Sequence, residues 1–240
     1  KQPKLRSIIK KRNADVCTGD FVELEQINEN AKQAFISDIK ERFTVLSRPR
    51  VSNITGVLVV SALKEPDLDF EQLNRYIAHC EYHKIKPVLC FNKEDMTDTE
   101  LLKQKILEIY NNLGYKILFT SALEKTGLET LKTVLNGKTT VLCGSSGVGK
   151  SSLINALLNA STLKTKSVSE KTKKGTHTTR HCELISISEN TYIVDTPGFS
   201  QLNFDFILPC EIQKLFVEFS NENSACKYKN CLHINEQGCA

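Results

Sequence analysis

The run Gly144-Ser145-Ser146-Gly147-Val148-Gly149-Lys150-Ser151 fits G-x-x-x-x-G-K-[ST], a pattern whose chemistry is phosphate binding. Its glycines let backbone N–H groups turn inward on phosphate oxygens. A helix opening at the end of the loop, through Ser152 and Leu153, adds its partial positive charge. Lys150 is expected to reach the β- and γ-phosphates and Ser151 to ligate Mg²⁺, with Ser152 counted in the same phosphate site. Further on, Tyr192-Ile193-Val194-Asp195-Thr196-Pro197-Gly198 ends a strand on a carboxylate. Asp195 is placed to hold Mg²⁺ through water, and the Gly198 N–H to meet the γ-phosphate.

A second constellation reads a base. Asn92-Lys93-Glu94-Asp95 directly follows an apolar strand. The Asp95 carboxylate can accept two hydrogen bonds from the N1 and N2 donors of guanine. Adenine lacks that donor pair, so the group selects guanine. Asn92 would support the loop and the base edge, and the Lys93 stem would lie over the base plane. Ser121-Ala122-Leu123 follows the next strand, and the Ala122 N–H is a candidate donor to guanine O6.

A third cluster lies at the C-terminal end. Cys226, Cys231, His233 and Cys239 form C-x4-C-x-H-x5-C, four soft or borderline ligands suited to one tetrahedral Zn²⁺ per chain. Four protein ligands close such a site, so its role is structural. A Cys-rich tail of free thiols is the bland alternative, and a disulfide reading is weaker.

These residues need a scaffold. From about residue 53 the chain alternates strands and helices: an apolar strand at 56–62, helical spacing at Phe70, Leu73, Ile77 and Cys80, then strands at 87–91 and 116–120. Capping boxes at Thr97–Glu100 and Thr126–Glu129 open helices running to Asn111 and about Leu135. Thr139–Cys143 is a strand feeding the phosphate loop. The pattern predicts an α/β fold with a parallel-sheet core and helices on both faces. The base motifs precede the phosphate motifs, the reverse of the usual order, so the domain reads as circularly permuted. Rejoining nearby surface termini leaves such a core intact.

Residues 1–50 read as an OB-like β segment, with a hairpin around Thr18-Gly19-Asp20. They are too few for a closed five-stranded barrel, so an incomplete one is expected. The division is 1–50 for this segment, 51–208 for the nucleotide domain and 209–240 for a zinc-binding segment, expected to be truncated. The net charge of +4 is small, but Lys164, Lys166, Lys171, Lys173, Lys174 and Arg180 crowd one stretch. That stretch is either a solvated loop or a contact for RNA phosphates. Cys17, Cys80, Cys90, Cys143, Cys182 and Cys210 are scattered and read as small buried hydrophobes of a reducing compartment. No apolar run is long enough to span a membrane.

The combined order of these motifs, with Gly175–Arg180 between the phosphate loop and Asp195, resembles the ribosome small-subunit-dependent GTPase A family. The resemblance covers nearly the whole chain. It implies an oligonucleotide-binding barrel before a permuted GTPase domain and a zinc domain after it. It also implies late assembly of the small ribosomal subunit, contacts with its rRNA, binding of GTP and GDP, and hydrolysis stimulated by the subunit. Thr179 matches the switch threonine that reaches Mg²⁺ and the γ-phosphate, and His177 the family's histidine, the candidate catalytic residue. Phe199 stands where many GTPases keep a water-orienting Gln. A cytoplasmic monomer without membrane partners is expected, an organellar form being left open. The competing readings are an RNA-binding module gated by nucleotide and a permuted GTPase of the large subunit. The C-terminal zinc pattern argues against the latter.

Overall fold

The computed structural model describes residues 6–9, 16–28, 33–47, 50–96, 98–162, 182–195, 207–221, 226–228 and 231–239. Its centre is a six-stranded sheet made of β6 (Gly56–Ala62), β7 (Val88–Asn92), β8 (Lys116–Phe119), β9 (Thr139–Cys143), β10 (Glu183–Ser188) and β11 (Thr191–Asp195). The spatial order is β10-β11-β9-β6-β7-β8, parallel throughout except for the β10/β11 pair. The permutation is visible in this order. β6, which opens the domain, lies beside β9, with Leu58 opposite Leu142.

The sheet is covered on both faces because its strands are apolar on both faces. Along β6, Val57 and Val59 join one core with Leu73, Tyr76 and Ile77 of α1 (Phe70–Tyr82) and Ile106 and Tyr110 of α2 (Glu100–Tyr110). Leu58 and Val60, pointing the other way, join Leu131 and Leu135 of α3 (Leu128–Leu135) and Leu153 and Leu157 of α4 (Lys150–Thr162). A period of two along the strand thus feeds two separate cores. Beyond the sheet, α5 (Pro209–Ile212), a 3-10 turn (Gln213–Leu215) and α6 (Val217–Asn221) follow in close succession. Ile207 and Leu215 of this segment pack on Ala78 of α1. Among the described residues no helix is long and apolar enough to cross a membrane.

Of three helix starts, those of α2 and α3 differ from the sequence expectation. Asp69 caps α1 with its carboxylate, accepting from the Gln72 N–H at 3.0 Å. The box expected at Thr126 is not made. Gly127 takes the capping position at φ +69°, where a Cβ would stand 2.2 Å from the Phe119 carbonyl oxygen. Close approach of two backbones decides that turn, and it favours glycine. Thr97, the head of the other expected box, lies outside the described residues. Thr99 occupies the cap of α2 and donates its hydroxyl to the Met96 carbonyl.

The N-terminal strands are β1 (Arg6–Ile9), β2 (Val22–Asn28), β3 (Gln33–Ile39), β4 (Val45–Ser47) and β5 (Arg50–Ser52). Among the described residues they form a sheet in the order β1-β3-β2 and a separate β4-β5 ribbon. The hairpin expected around Thr18-Gly19-Asp20 is corrected. Residues 17–20 make a turn that docks on β5, with Thr18 bridging Val51, and the hairpin is β2-β3 instead. Asp20 is the reason. Its side chain is 1 % exposed and accepts from the Cys17 N–H, from Ser52 Oγ and from two nitrogens of Arg42, the last two at 2.7 Å.

Burial by itself would raise the Asp20 pKa, but the hydrogen bonds from Arg42, Ser52 and Cys17 outweigh it and hold the carboxyl below its usual value. A depressed carboxylate stabilises the fold above its unfolded pKa of about 3.9 and stops doing so as pH falls through the lowered folded value. Asp20→Asn should therefore flatten the acid limb of the thermal-stability profile. Asp20→Ala should cost about 3 kcal/mol near neutral pH, the lower end for a broken buried pair because Arg42 keeps some access to water. Melting curves from about pH 2 to about pH 7, which cover the loss below the unfolded value of about 3.9, check both. An unaltered acid limb in Asp20→Asn would assign the acid sensitivity to other carboxylates.

Four of the scattered cysteines, Cys17, Cys80, Cys90 and Cys143, are buried and Cys182 is half-buried. Burial pushes the Cys90 thiol up to about 11, so it behaves as an inert hydrophobe. The Cys210 side chain lies outside the described residues.

Candidate functional site

The parallel strands end on one edge of the sheet, and the loops leaving that edge carry the motifs. The phosphate loop leaves β9, Asn92–Asp95 leaves β7, Ser121–Leu123 leaves β8, and Asp195 closes β11. Ligands of open α/β sheets bind at this edge.

The phosphate loop is shaped by two backbone needs and one buried side chain. Gly144 has φ +142°, and a Cβ there would lie 2.0 Å from the Val60 carbonyl oxygen. At Gly149, φ +93°, a Cβ would lie 2.2 Å from Asn92 Nδ2. Val148 is buried in the core under α4 and anchors the loop from below. Ser146 and Gly147 are exposed, and Ser145 is half-buried. Lys150 folds back over the loop and donates to the Gly144 and Ser145 carbonyls at 2.8 and 2.7 Å. Burial lowers the Lys150 pKa, with Cys143 and Asp195 acting in the opposite direction. An anion entering the loop would be met by this ammonium already enclosed. Ser151 and Ser152 are exposed on the first turn of α4, and Asp195 is half-buried. A hydroxyl and a carboxylate at the mouth of a phosphate loop suit Mg²⁺, which keeps several waters.

Asn92 ties the two halves of the site together. It is 2 % exposed. Its Nδ2 donates to the Val148 carbonyl of the phosphate loop at 3.0 Å. Its Oδ1 accepts from the Ala122 N–H at 3.2 Å and from Thr120 Oγ1 at 3.3 Å. The Ala122 N–H, expected to serve guanine O6, is thus held by Asn92 in this structure. Ser121 is fully buried; its hydroxyl accepts from the Glu124 N–H and its N–H donates to the Thr126 carbonyl.

Beside this knot lies a cleft of roughly 340 Å³, lined by Lys93, Asp95, Ala122, Leu123, Gly149 and Ser152 among others. Asp95 is exposed within it, at φ-strained Lys93's shoulder; Lys93 itself sits at φ +64° and donates its ammonium to the Glu65 carbonyl. Glu65 also lines the cleft, and Pro66 comes within 3.6 Å of the Cβ position of Gly147. The loop after β6 therefore walls the site, a role for which its sequence carried no signal. A carboxylate, a flat apolar wall and a lysine stem in one cleft can recognise a purine edge that donates twice.

Away from this edge, Cys226, Cys231, His233 and Cys239 bring their ligand atoms within 4.8 Å of one another. His233 Nδ1 lies 3.4, 3.7 and 3.9 Å from the sulfurs of Cys239, Cys226 and Cys231. A tetrahedral metal with bonds of about 2.3 Å to sulfur and 2.0 Å to nitrogen requires S···N edges near 3.6 Å. The cluster fits a metal ion. His233 Nε2 lies 2.6 Å from Gln213 Oε1, and its ring stacks on Phe219 with centroids 5.2 Å apart. Nothing in the sequence pointed to Gln213.

His177, Thr179 and Gly198 lie outside the described residues, as do Phe199 and the basic stretch from Lys164 to Arg180.

Comparison with known proteins gives a consistent outcome. The family model described as RsgA GTPase matches residues 39–205. The chain is 46 % identical over 222 residues to the small ribosomal subunit biogenesis GTPase RsgA of Clostridium perfringens strain SM101, covering 92 % of this chain and 76 % of that one. It is 41 % identical over 234 residues to the protein of that name from Alkaliphilus metalliredigens, covering 98 % and 80 %. Among solved structures it is similar to YjeQ from Thermotoga maritima, with a TM-score of 0.77, 30 % identity and coverage of 97 % and 80 %. It is also similar to YloQ, a circularly permuted GTPase, with a TM-score of 0.69, 33 % identity and coverage of 96 % and 74 %.

Proposed function

The chain belongs to the RsgA GTPase family, and from that premise we propose how its residues carry out GTP hydrolysis in small-subunit biogenesis. The observation that supports this reading best is the Asn92 knot, which joins a phosphate loop to a base-reading cleft in one rigid edge. Residues 144–152 hold the phosphates, with Lys150 at the β- and γ-oxygens. Asp95 selects guanine, Lys93 covers the base, and Asn92, Ser121 and Ala122 shape its pocket. Ser151 and Asp195, with Thr179, would hold the Mg²⁺ that accompanies GTP, and that ion would supply neutralisation of the charge on the phosphates. Gly198 supplies an N–H to the γ-phosphate. Residues 1–50, 51–208 and 209–240 are read as the OB-like β segment, the GTPase domain and the metal segment. The β segment and the lysines between 164 and 174 make the contacts to rRNA phosphates.

Phe199 has no hydrogen-bonding group, so it cannot orient the attacking water. We assign that task to His177, brought into place when the small subunit orders its loop. GTP turnover with and without purified small subunits tests the function. A rate that subunits leave unchanged would favour the nucleotide-gated RNA-binding module. At saturating subunit, His177→Ala should keep its GTP affinity and lose on the order of 100-fold of the stimulated rate, the size expected for a positioned acid–base group. Full stimulated turnover in that variant would move the task to backbone groups or rRNA.

We read the C-terminal metal as structural zinc. Metal analysis should find about one equivalent per chain, and Cys231→Ala should lose it. GTP binding should largely persist, because the phosphate loop stands on β9 and α4. Purified protein free of zinc and folded in its last residues would overturn the assignment.

A further inference from the structure

The metal loop meets the α5–α6 stretch at Gln213 and Phe219. Gln213 lies in the 3-10 turn between α5 and α6, on the stretch whose Ile207 and Leu215 pack against Ala78 of α1. Its Oε1 accepts from His233 Nε2 at 2.6 Å, while the opposite ring nitrogen faces three sulfurs. An imidazole that donates from Nε2 keeps the lone pair on Nδ1, the form a metal needs. Phe219, in α6 of the same stretch, stacks on the ring and fixes its plane. His233 sits at φ +60°, so its backbone is turned out of the ordinary range to present the ring this way. On the metal side, Glu236 accepts from the Leu232 and Ile234 N–H groups at 2.7 and 2.6 Å, which fixes the loop flanking His233.

We propose that Gln213 is the positioning residue for the metal ligand His233, and that their hydrogen bond makes metal loading and seating of the metal loop on the α5–α6 stretch a single event. The proposal rests on the zinc reading above. Without the metal, Nδ1 has no lone-pair partner to retain, the ring loses its fixed tautomer, and the bond to Gln213 loses its direction. Without Gln213, the ring is free to hold its proton on Nδ1, which closes that nitrogen to the metal. The α5–α6 stretch follows Asp195 in the chain. The bond therefore fastens the metal loop to the segment that leaves the nucleotide site.

The test compares the full chain with Gln213→Leu and Gln213→Glu. Zinc affinity is measured by competition with a chromophoric chelator, and ligand geometry by the visible spectrum after Co²⁺ replacement. Gln213→Leu should bind zinc about 10- to 100-fold more weakly, the range for loss of such an outer partner. Its Co²⁺ bands should change, as those of an altered nitrogen ligand would. Gln213→Glu keeps an acceptor and should bind at least as tightly as the parent. A packing role for this half-buried residue would instead leave the zinc affinity and Co²⁺ bands of Gln213→Leu near the parent's, because leucine fills much of the same space without accepting a hydrogen bond. In the parent, stripping the metal should raise amide exchange over residues 207–221 as well as in the metal loop. Equal zinc affinity and equal Co²⁺ spectra in parent and Gln213→Leu overturn the positioning role, and unchanged exchange at 207–221 overturns the link. A parent that binds no zinc removes the zinc reading itself, a result distinct from either.

Discussion

The Asp95→Asn variant should bind GTP on the order of 100-fold more weakly than the parent and should come to prefer xanthosine triphosphate. Two hydrogen bonds to a carboxylate are worth about 1.5–3 kcal/mol each, and the amide keeps one acceptor while turning a donor toward the donor at guanine N2. Xanthine replaces that donor with a carbonyl, which the amide nitrogen can meet. Asp95 is exposed in the cleft beside Lys93, Ala122 and Leu123, where a base edge can reach it. Because it lies at the surface, its replacement should move the melting temperature little. The effect is thus separable: nucleotide choice changes, and the fold does not. Binding of both triphosphates is measured directly on parent and variant. Identical preference in the two would remove Asp95 from the base site and leave the cleft without its selective group.

Much of this site was legible because its chemistry is written in contiguous residues. The phosphate loop needs glycine where backbones approach, and Gly144 and Gly149 meet Val60 and Asn92 at distances no side chain permits. Cys226, Cys231, His233 and Cys239 also lie close in sequence, and metal geometry restricts their spacing. Partners far apart in the chain were not legible. Asn92 was expected to support the loop and the base edge, but the partners through which it holds the loops lie 28, 30 and 56 positions away. Gln213 lies 20 residues from His233. The turn at 17–20 was expected to close a hairpin, since local alternation shows nothing of Ser52 and Arg42, which claim Asp20 from 32 and 22 residues away. At Gly127 the cap was misread for a related reason: a Thr-x-x-Glu pattern competes with a backbone contact from Phe119 that leaves no mark on local sequence. The strand–helix order survives such errors, because Val57 to Val60 and their neighbours bury both faces whatever the caps do.

Asn92 should behave unlike Asp95, and the contrast tests the reading of the edge as one rigid unit. Asn92→Ala leaves the Val148 carbonyl and the Ala122 N–H without the partner each has now. Orphaning a buried polar group costs about 1–3 kcal/mol, so the pair costs roughly 3 kcal/mol or more. In a domain of this size each kcal/mol lowers the melting temperature by about 2–4 °C, which gives a fall near 10 °C. Asn92→Asp is nearly isosteric and should fare no better. It replaces the donor facing Val148 with an acceptor and puts a carboxylate at a site 2 % exposed, where an unpaired charge is strongly disfavoured. Both variants should also lose nucleotide affinity at temperatures where they remain folded, because the phosphate loop and the loop at Ala122 are no longer held in register. GTP and xanthosine triphosphate should weaken together, without the change of preference expected for Asp95→Asn. Melting and binding are measured on the same samples. If Asn92→Ala melts within about 2 °C of the parent, a shift worth only about 1 kcal/mol or less, the three hydrogen bonds do not hold the edge together. The two halves of the site would then be organised independently, each by its own strand.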